Sequence, residues 1–360
     1  MGTIRYELRG ESPEEGLIDE LAAVHPRIGV EGLLRRRGIR AWPGRVPAKA
    51  AVEGFRWGLF DSWTPRWWPQ GVEVLDDNEG LLVVSWFAQT RRGSSQGARI
   101  SVVDRRDPAR PRYHHVLLVE PTRDSERKAA VAPIQVHAGG LARLGHRLYA
   151  AATFGGLRVF DLRDIMQLTG RGLFGYRCVL PQSGHQRLHG GHGDERMRFS
   201  FVSVERGATG GRGSAGGGAG TGEGTDGGDH LIIGEFGPHQ TGRRLGRIPV
   251  AGLTPSAEPT AVTEVHEPGI PRMQGAAVID GTWFVSASNG LKPGDLWVGS
   301  GASWTCHRGV LPPGPEDLCA TADGRRLWSL CEYPRRRWVY AMDPARWREL
   351  PGPAVDVTPA

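Results

Sequence analysis

The run Trp63-Thr-Pro-Arg-Trp67-Trp68-Pro-Gln70-Gly71-Val-Glu73-Val74, followed by Leu81-Leu-Val-Val-Ser-Trp-Phe87, decides the fold. A turn rich in Pro and Trp delivers a polar residue and a glycine. Small or apolar residues follow, then a short turn and a strongly apolar strand. The same order recurs at His137-Ala-Gly-Gly-Leu141 before Leu148-Tyr-Ala-Ala-Ala152. It recurs again at Gln274-Gly-Ala-Ala-Val278 before Thr282-Trp-Phe-Val-Ser286, and at Glu316-Asp-Leu-Cys-Ala320 before Leu327-Trp-Ser-Leu-Cys331. Apolar or alternating runs of this length, bounded by Gly, Pro, Asn and Asp, read as strands. Each start reads as the innermost strand of one propeller blade, followed by the second strand. The expected fold is therefore all-β, a five-bladed β-propeller with a short N-terminal helical extension. Blade starts fall at Gln70, His137, Arg198, Gln274 and Glu316, separated by 67, 61, 76 and 42 residues, too uneven for a WD40 or kelch array. A β-sandwich would give no reason for the repeated polar-plus-glycine starts.

Composition points the same way. The 360 residues include 53 Gly, 26 Pro and 12 Trp, which suits many short strands joined by tight turns. Formal net charge is +6, but lysine occurs only at 49, 128 and 292. Arginine clusters such as Arg35-Arg36-Arg37 and Arg335-Arg336-Arg337 are short and scattered, so they read as solvated surface and no nucleic-acid partner is expected. No apolar run approaches the roughly 20 residues of a membrane span, and the N-terminus lacks a basic-then-apolar signal pattern. Cys178, Cys306, Cys319 and Cys331 form no C-x-x-C and read as buried free thiols. Together these features lead to the expectation of a soluble, cytoplasmic protein with no membrane partner.

Residues 1–50 form the extension. Pro13–Val24 has helical spacing with Ser12 at the N-cap position, and 32–37 reads as a second short helix. Residues 51–350 form the propeller. Within them 207–228, a run of Gly, Ala, Ser and Thr, cannot bury apolar surface and reads as a disordered insertion at a hairpin tip. Residues 351–360 are a Pro-rich tail.

The first strand of each blade lines the central channel, where neighbouring strands crowd and small residues are needed. The polar residue before each small one should therefore converge on one mouth. That ring is Gln70, His137, Arg198 or Ser200, Gln274, and Glu316 with Asp317. Glu316 and His137 are the expected catalytic acid–base pair. Gln70, Gln274, Arg198 and Asp317 are expected to bind substrate oxygens, with Trp68 and Tyr333 at the rim. No cofactor is expected. Calcium or zinc held by Asp317, Glu316, His137 and backbone carbonyls is the alternative, although only two carboxylates are on offer and zinc would want three protein ligands. The stretch His185-Gln-Arg-Leu-His189-Gly-Gly-His192-Gly-Asp194 reads as a loop over a channel mouth, with metal binding as its alternative. No Gly-x-Ser-x-Gly elbow, Rossmann fingerprint, His-Glu-x-x-His or kinase set is present, so redox-cofactor and nucleotide chemistry gain no motif support.

Several motifs carry a resemblance: Trp-x-Pro-Gln70-Gly71; His137-Ala-Gly-Gly with Thr153-Phe-Gly-Gly-Leu-Arg-Val-Phe-Asp-Leu-Arg163; Met273-Gln274-Gly275; Gly314-Pro-Glu316-Asp-Leu318; Trp328-Ser-Leu-x-Glu332-Tyr333; and Arg337-Trp-Val-Tyr-Ala-Met342. Over roughly 55–345 the chain resembles a family of actinomycete β-propeller proteins described as secreted or hypothetical. That resemblance implies a propeller and no settled activity. More distantly, Gln70-Gly71 and Gln274-Gly275 resemble the blade openings of plant-type glutaminyl cyclases, while Asp317 after Glu316 departs from them. The function expected is a cofactor-independent cyclase, isomerase or lyase acting on a small-molecule biosynthetic intermediate in the central pocket. The alternatives are a non-catalytic small-molecule-binding propeller and a calcium-assisted esterase or lactonase.

Overall fold

Leu81–Ala88 and Ala98–Asp104 are buried at almost every position, because both faces of this sheet are covered by neighbours. Val83, Val84, Ile100 and Val102 are fully buried, each contributing about 1.5–3 kcal/mol by leaving water. The computed structural model describes residues 5–76, 78–90, 95–191, 195–207, 228–237, 244–253, 258–300, 303–349 and 354–355.

Among the described residues, the strands form five antiparallel meanders of four. The first runs Trp67–Val74, Leu81–Ala88, Ala98–Asp104, Arg112–Arg123. The second is Leu141–Leu144, Arg147–Ala151, Leu157–Asp161, Cys178–His189. Next come Phe201–Glu205, His230–Gly234, Leu245–Pro249 and Thr263–His266. The fourth is Met273–Ile279, Thr282–Asn289, Lys292–Gly299, Trp304–Pro313. The fifth begins Pro315–Ala320, Leu327–Cys331, Trp338–Met342, and takes its outer strand, Ala51–Arg56, from the other end of the chain. Residues from opposite ends of the chain thus close the fold through hydrogen bonds.

The five first strands touch in a cycle. Trp67–Val74 packs on Leu141–Leu144, which packs on Phe201–Glu205, then Met273–Ile279, then Pro315–Ala320, and so back to Trp67–Val74. This is the arrangement of a β-propeller. The approach of the inner strands explains their small residues. A Cβ on Gly140 would lie 2.4 Å from the Val202 amide nitrogen, and one on Gly275 would lie 2.5 Å from that of Leu318. Buried serines tie neighbouring meanders together: Ser85 donates to the Ala138 carbonyl, Ser203 to Ala276, and Ser286 to Glu316.

Several details differ from the sequence expectation. The first helix is Leu17–Val24, entered through Gly16 at φ 76°, so Ser12 is not its cap. A left-handed glycine breaks the helical path expected to start at Pro13. The second helix is Gly29–Leu34. Residues before 50 also supply strands: Glu7–Glu11 lies along Cys178–His189, and Ile39–Arg40 along Arg112–Tyr113. The histidine-rich stretch is strand through His189. His185 is bonded to the Gly155 carbonyl at 2.7 Å, while His192 and Asp194 lie outside the described residues. Glu205 pairs with His230, so the glycine-rich segment leaves and returns at one hairpin end; residues 208–227 themselves lie outside the described residues. In the tail Ala354–Val355 pairs with Trp304–Thr305, and the rest is outside the described residues. The outer strands of the first two meanders join in parallel, Leu117–Val119 beside Val179–Pro181. All four cysteines are free and buried.

Candidate active site at the propeller axis

Three first strands shift register at their polar starts: between Pro69 and Val72, between Met273 and Gly275, and between Pro315 and Leu318. A bulge of this kind breaks alternation and re-aims the extra side chain. Gln70 and Glu316 are 3% exposed and Gln274 is half-buried. The Gln274 amide donates to Glu316 Oε1 at 3.2 Å. Gln70 Nε2 donates to its neighbour's carbonyl, Pro69 O, at 2.8 Å and to Glu332 Oε2 at 3.3 Å. Tyr333 packs edge-on against Trp68, ring centroids 5.9 Å apart. Gly314, at φ +65°, leaves room for the Tyr333 ring, which a Cβ there would meet at 2.6 Å.

Glu332 is the residue the sequence reading did not assign a role. Its carboxylate lies close enough to Glu316 to raise the latter's pKa. Burial, Glu332 and Asp317 together push Glu316 well above the usual carboxylate value. Glu332 is also raised by burial, but Gln70, Tyr333 and Arg337 pull back towards its charged form. The two carboxyls therefore differ. Glu316 holds its proton to higher pH, and Glu332 is the first of the two to ionise. A protonated acid next to a carboxylate, flanked by two amides, can take a proton from one substrate atom and deliver one to another.

The other expected members lie elsewhere on the mouth. His137 is exposed and stacks on Phe87, ring centroids 4.2 Å apart, and Phe87 stands opposite Trp68 in the sheet. Burial of part of its surroundings lowers the His137 pKa. Among the described residues no hydrogen bond joins it to Glu316. The Arg198 guanidinium lies over the Phe154 ring, 5.2 Å from its centroid, and the Arg198 backbone N–H donates to Glu235.

Asp317 points away from the mouth. It is fully buried, and its Oδ2 accepts from the backbone N–H groups of Val72 and Leu141, both at 3.1 Å. Through that oxygen it joins three inner strands, where the sequence reading expected it to bind substrate oxygens. Below it Glu73 accepts from Val74 N at 2.7 Å and Arg143 N at 3.1 Å. Burial raises the Glu73 pKa to about 7, against partial compensation by those amides and by Arg206 and Arg143. Among the described residues no three His, Cys, Asp or Glu side chains are placed to hold a metal ion.

The raised Glu73 pKa gives a testable slope. In the unfolded chain this carboxyl ionises near 4.5, but the folded protein keeps its proton to about 7. Its contribution is present in full below 4.5 and is lost as pH rises through 7, about 3 kcal/mol in total. Glu73→Gln should thus match wild-type stability near pH 5 and gain on it by pH 8 in urea unfolding. A difference that does not change with pH would show Glu73 ionised when buried.

A second polar cluster lies beside the first meander. Asp61 Oδ1 accepts from Arg99 at 2.7 Å, and Oδ2 accepts from Tyr113 at 2.6 Å and faces His115 Nε2 at 3.1 Å. Trp86 Nε1 donates to Ser101 Oγ, which lies 2.8 Å from His115 Nδ1. The Asp61 carboxylate can only accept, so the neutral His115 ring carries its proton on Nε2 and accepts at Nδ1 from the Ser101 hydroxyl, which in turn accepts from the indole N–H. Burial and Arg99 push His115 down to about 4. Burial opposes the charge of Asp61, but His115, Arg99 and Tyr113 outweigh it and hold its carboxyl well below the usual range. Although Ser, His and Asp stand in line, Ser101 is fully buried under Trp86 and cannot reach a substrate. The chain of bonds is structural.

Fold and site together define an all-β propeller with unequal carboxyls at one mouth of its axis. No known family matches the chain, and no curated protein matches it. Solved structures similar to it include a GH43_1 enzyme from Xanthomonas citri, with 12% identity over 91% of this chain and 93% of that one, at a TM-score of 0.37. A gluconolactonase from Xanthomonas campestris has 12% identity over 86% and 99%, TM-score 0.36. The glutaminyl cyclase of Myxococcus xanthus has 11% identity over 85% and 96%, TM-score 0.33. At such low identity and TM-score none of these likenesses carries an activity or a residue role over to this chain.

Proposed function

We propose that the chain is a five-bladed propeller enzyme, a cyclase, isomerase or lyase that moves protons on a small carbonyl-bearing biosynthetic intermediate. Five first strands in a closed cycle support the blade count. The observation that carries the chemistry is the pair Glu332 and Glu316 in unequal surroundings. Glu332, as carboxylate, takes a proton from the carbon next to the carbonyl or from an attacking N–H or O–H. Glu316 gives its proton to the carbonyl oxygen as the electron pair moves there. Collapse of that intermediate returns the oxygen's proton to Glu316, and Glu332 gives its own proton to a different atom or to the departing leaving group. Gln70 and Gln274 orient the oxygens, and Trp68 and Tyr333 receive the apolar part. Fixed donors of this kind lower a barrier because they need no reorganisation as charge develops.

The rate should fall at low pH as Glu332 gains a proton and at high pH as Glu316 loses one. Deuterium exchange next to the carbonyl, followed by NMR for a panel of ketones, lactones and N-terminal glutaminyl peptides in heavy water, tests this without knowledge of the product. Glu316→Gln and Glu332→Gln should each slow exchange by about tenfold or more, on the scale typical of a lost acid or base, with unfolding unchanged. Variants that exchange at the wild-type rate would remove the pair from the mechanism. Exchange absent for compounds that bind would favour the capture-only reading, which rests on Gln70 already being bonded to Pro69 and Glu332.

A further inference from the structure

A cleft of about 720 Å³ opens beside the first meander, away from the axis. Its lining includes five arginines, 36, 37, 66, 99 and 177, and no aspartate or glutamate. Arg99 is spoken for by Asp61 beneath it. The other four form no ion pair with a carboxylate among the described residues. Arg36 has only the neutral partners Gln167 and Cys178. Arg36, Arg37, Arg66 and Arg177 all line this one cleft, beside Tyr176 and Cys178. Other arginines near the first two meanders do have carboxylate partners, Arg105 with Glu53 and Arg123 with Glu14 and Glu20 among them. Cations gathered without counter-charge repel one another, and an anion in their midst relieves that cost.

The walls of the cleft are aromatic. Phe60 is 75% exposed and Phe174 is 49% exposed, and both line it. Large exposed rings at the edge of a cationic cleft offer flat apolar faces to a ligand. The volume is that of a small-molecule site and far exceeds what a lone phosphate would fill. Guanidinium groups bind phosphate through paired N–H donors, and several of them favour a doubly charged head over a single carboxylate.

We infer that this cleft binds a small aromatic phosphate, with its phosphate among Arg36, Arg37, Arg66 and Arg177 and its ring between Phe60 and Phe174. The site is independent of the axial carboxyls. It gives the protein a second small-molecule contact, separate from the proposed reaction.

The probe is 1-naphthyl phosphate, followed by isothermal titration calorimetry, with inorganic phosphate and 1-naphthol as its two halves. Wild-type protein should bind one equivalent, and more tightly than either half by about tenfold. Arg66→Glu with Arg177→Glu should weaken binding by about tenfold or more. Both arginines are exposed, so the unfolding midpoint should hold; if it does not, Arg66→Gln with Arg177→Gln replaces the pair. Phe174→Ala should weaken naphthyl phosphate while leaving inorganic phosphate unchanged. Lack of saturable binding by wild-type protein at millimolar probe, or full affinity in the charge-altered variant, overturns the assignment. So does naphthol binding as tightly as its phosphate.

Discussion

Asp61→Ala is expected to destabilise the protein by about 3–5 kcal/mol, the cost of leaving a buried cation without its partner. Arg99 and Asp61 each have side chains only 3% exposed. Arg99 is clamped between the Trp67 and Trp86 rings, 4.5 and 4.7 Å from their centroids, and cannot swing into solvent. A second buried arginine, Arg337, donates to the Asp61 carbonyl at 2.6 Å, and burial and Arg99 already lower its pKa to about 10. Removing the carboxylate would leave two buried guanidinium groups without their shared counter-charge. Tyr113 would lose its acceptor but still accept from the Gly58 amide. Urea unfolding of Asp61→Ala and of the double variant Asp61→Leu with Arg99→Met separates charge from packing. The double variant should lose less than the single one, because it removes the stranded charge. A cost under about 1 kcal/mol for the single change would mean water reaches Arg99. Acid gives a second readout. The folded His115 pKa is near 4 against 6.5 unfolded, so its contribution is present above 6.5 and is lost as pH falls towards 4. Without Asp61 that loss should be larger, because the carboxylate that favours the protonated ring is gone and the His115 pKa falls further below 6.5.

The first strands were legible because crowding at an axis leaves a local mark. Gly71, Gly140 and Gly275 must be small, and each follows or lies near a polar start. Glu332 left no such mark. It sits just past the end of a second strand, and that strand runs antiparallel to the first, so its end returns to the level of the mouth. Reading the residues at the end of each second strand, Ser288 and Glu332 among them, would have brought the carboxylate into view. Asp317 was legible as polar, but its direction was not, because the shift between Pro315 and Leu318 turns it to the inner strands. The outer strand Ala51–Arg56 belongs to Trp338–Met342, nearly the whole chain away, and no nearby periodicity signals that pairing. The Asp61 cluster draws on residues 61, 99, 113, 115 and 337, whose spacing has no regularity. The arginines of the cleft read one at a time as solvated surface. Their common space depends on how residues before 50 pack against the first two meanders.

Gly140→Ala should cost more than about 3 kcal/mol, at or beyond the upper end for an overpacked core. The added Cβ would lie 2.4 Å from Val202 N, 2.8 Å from Phe201 Cα and 3.0 Å from Phe201 C. All three are backbone atoms of the next inner strand, so no side-chain rotation relieves the clash. The strand itself must move, and Leu141 next door is bonded through its amide to Asp317 on the far side of the axis. Movement there would strain the ties to Val72 as well, since one carboxyl oxygen serves both amides. Gly145→Ala supplies the control. Gly145 has φ +60° and nothing within 4 Å of its added Cβ, so the change carries only the backbone penalty, about 1 kcal/mol. A marked gap between the two variants in denaturant midpoint follows from inner strands in backbone contact. Equal, mild effects would mean that the second and third meanders stand apart at the axis. The ring would then be open there, and the carboxyls at its mouth would lose the rigid frame that makes their surroundings unequal.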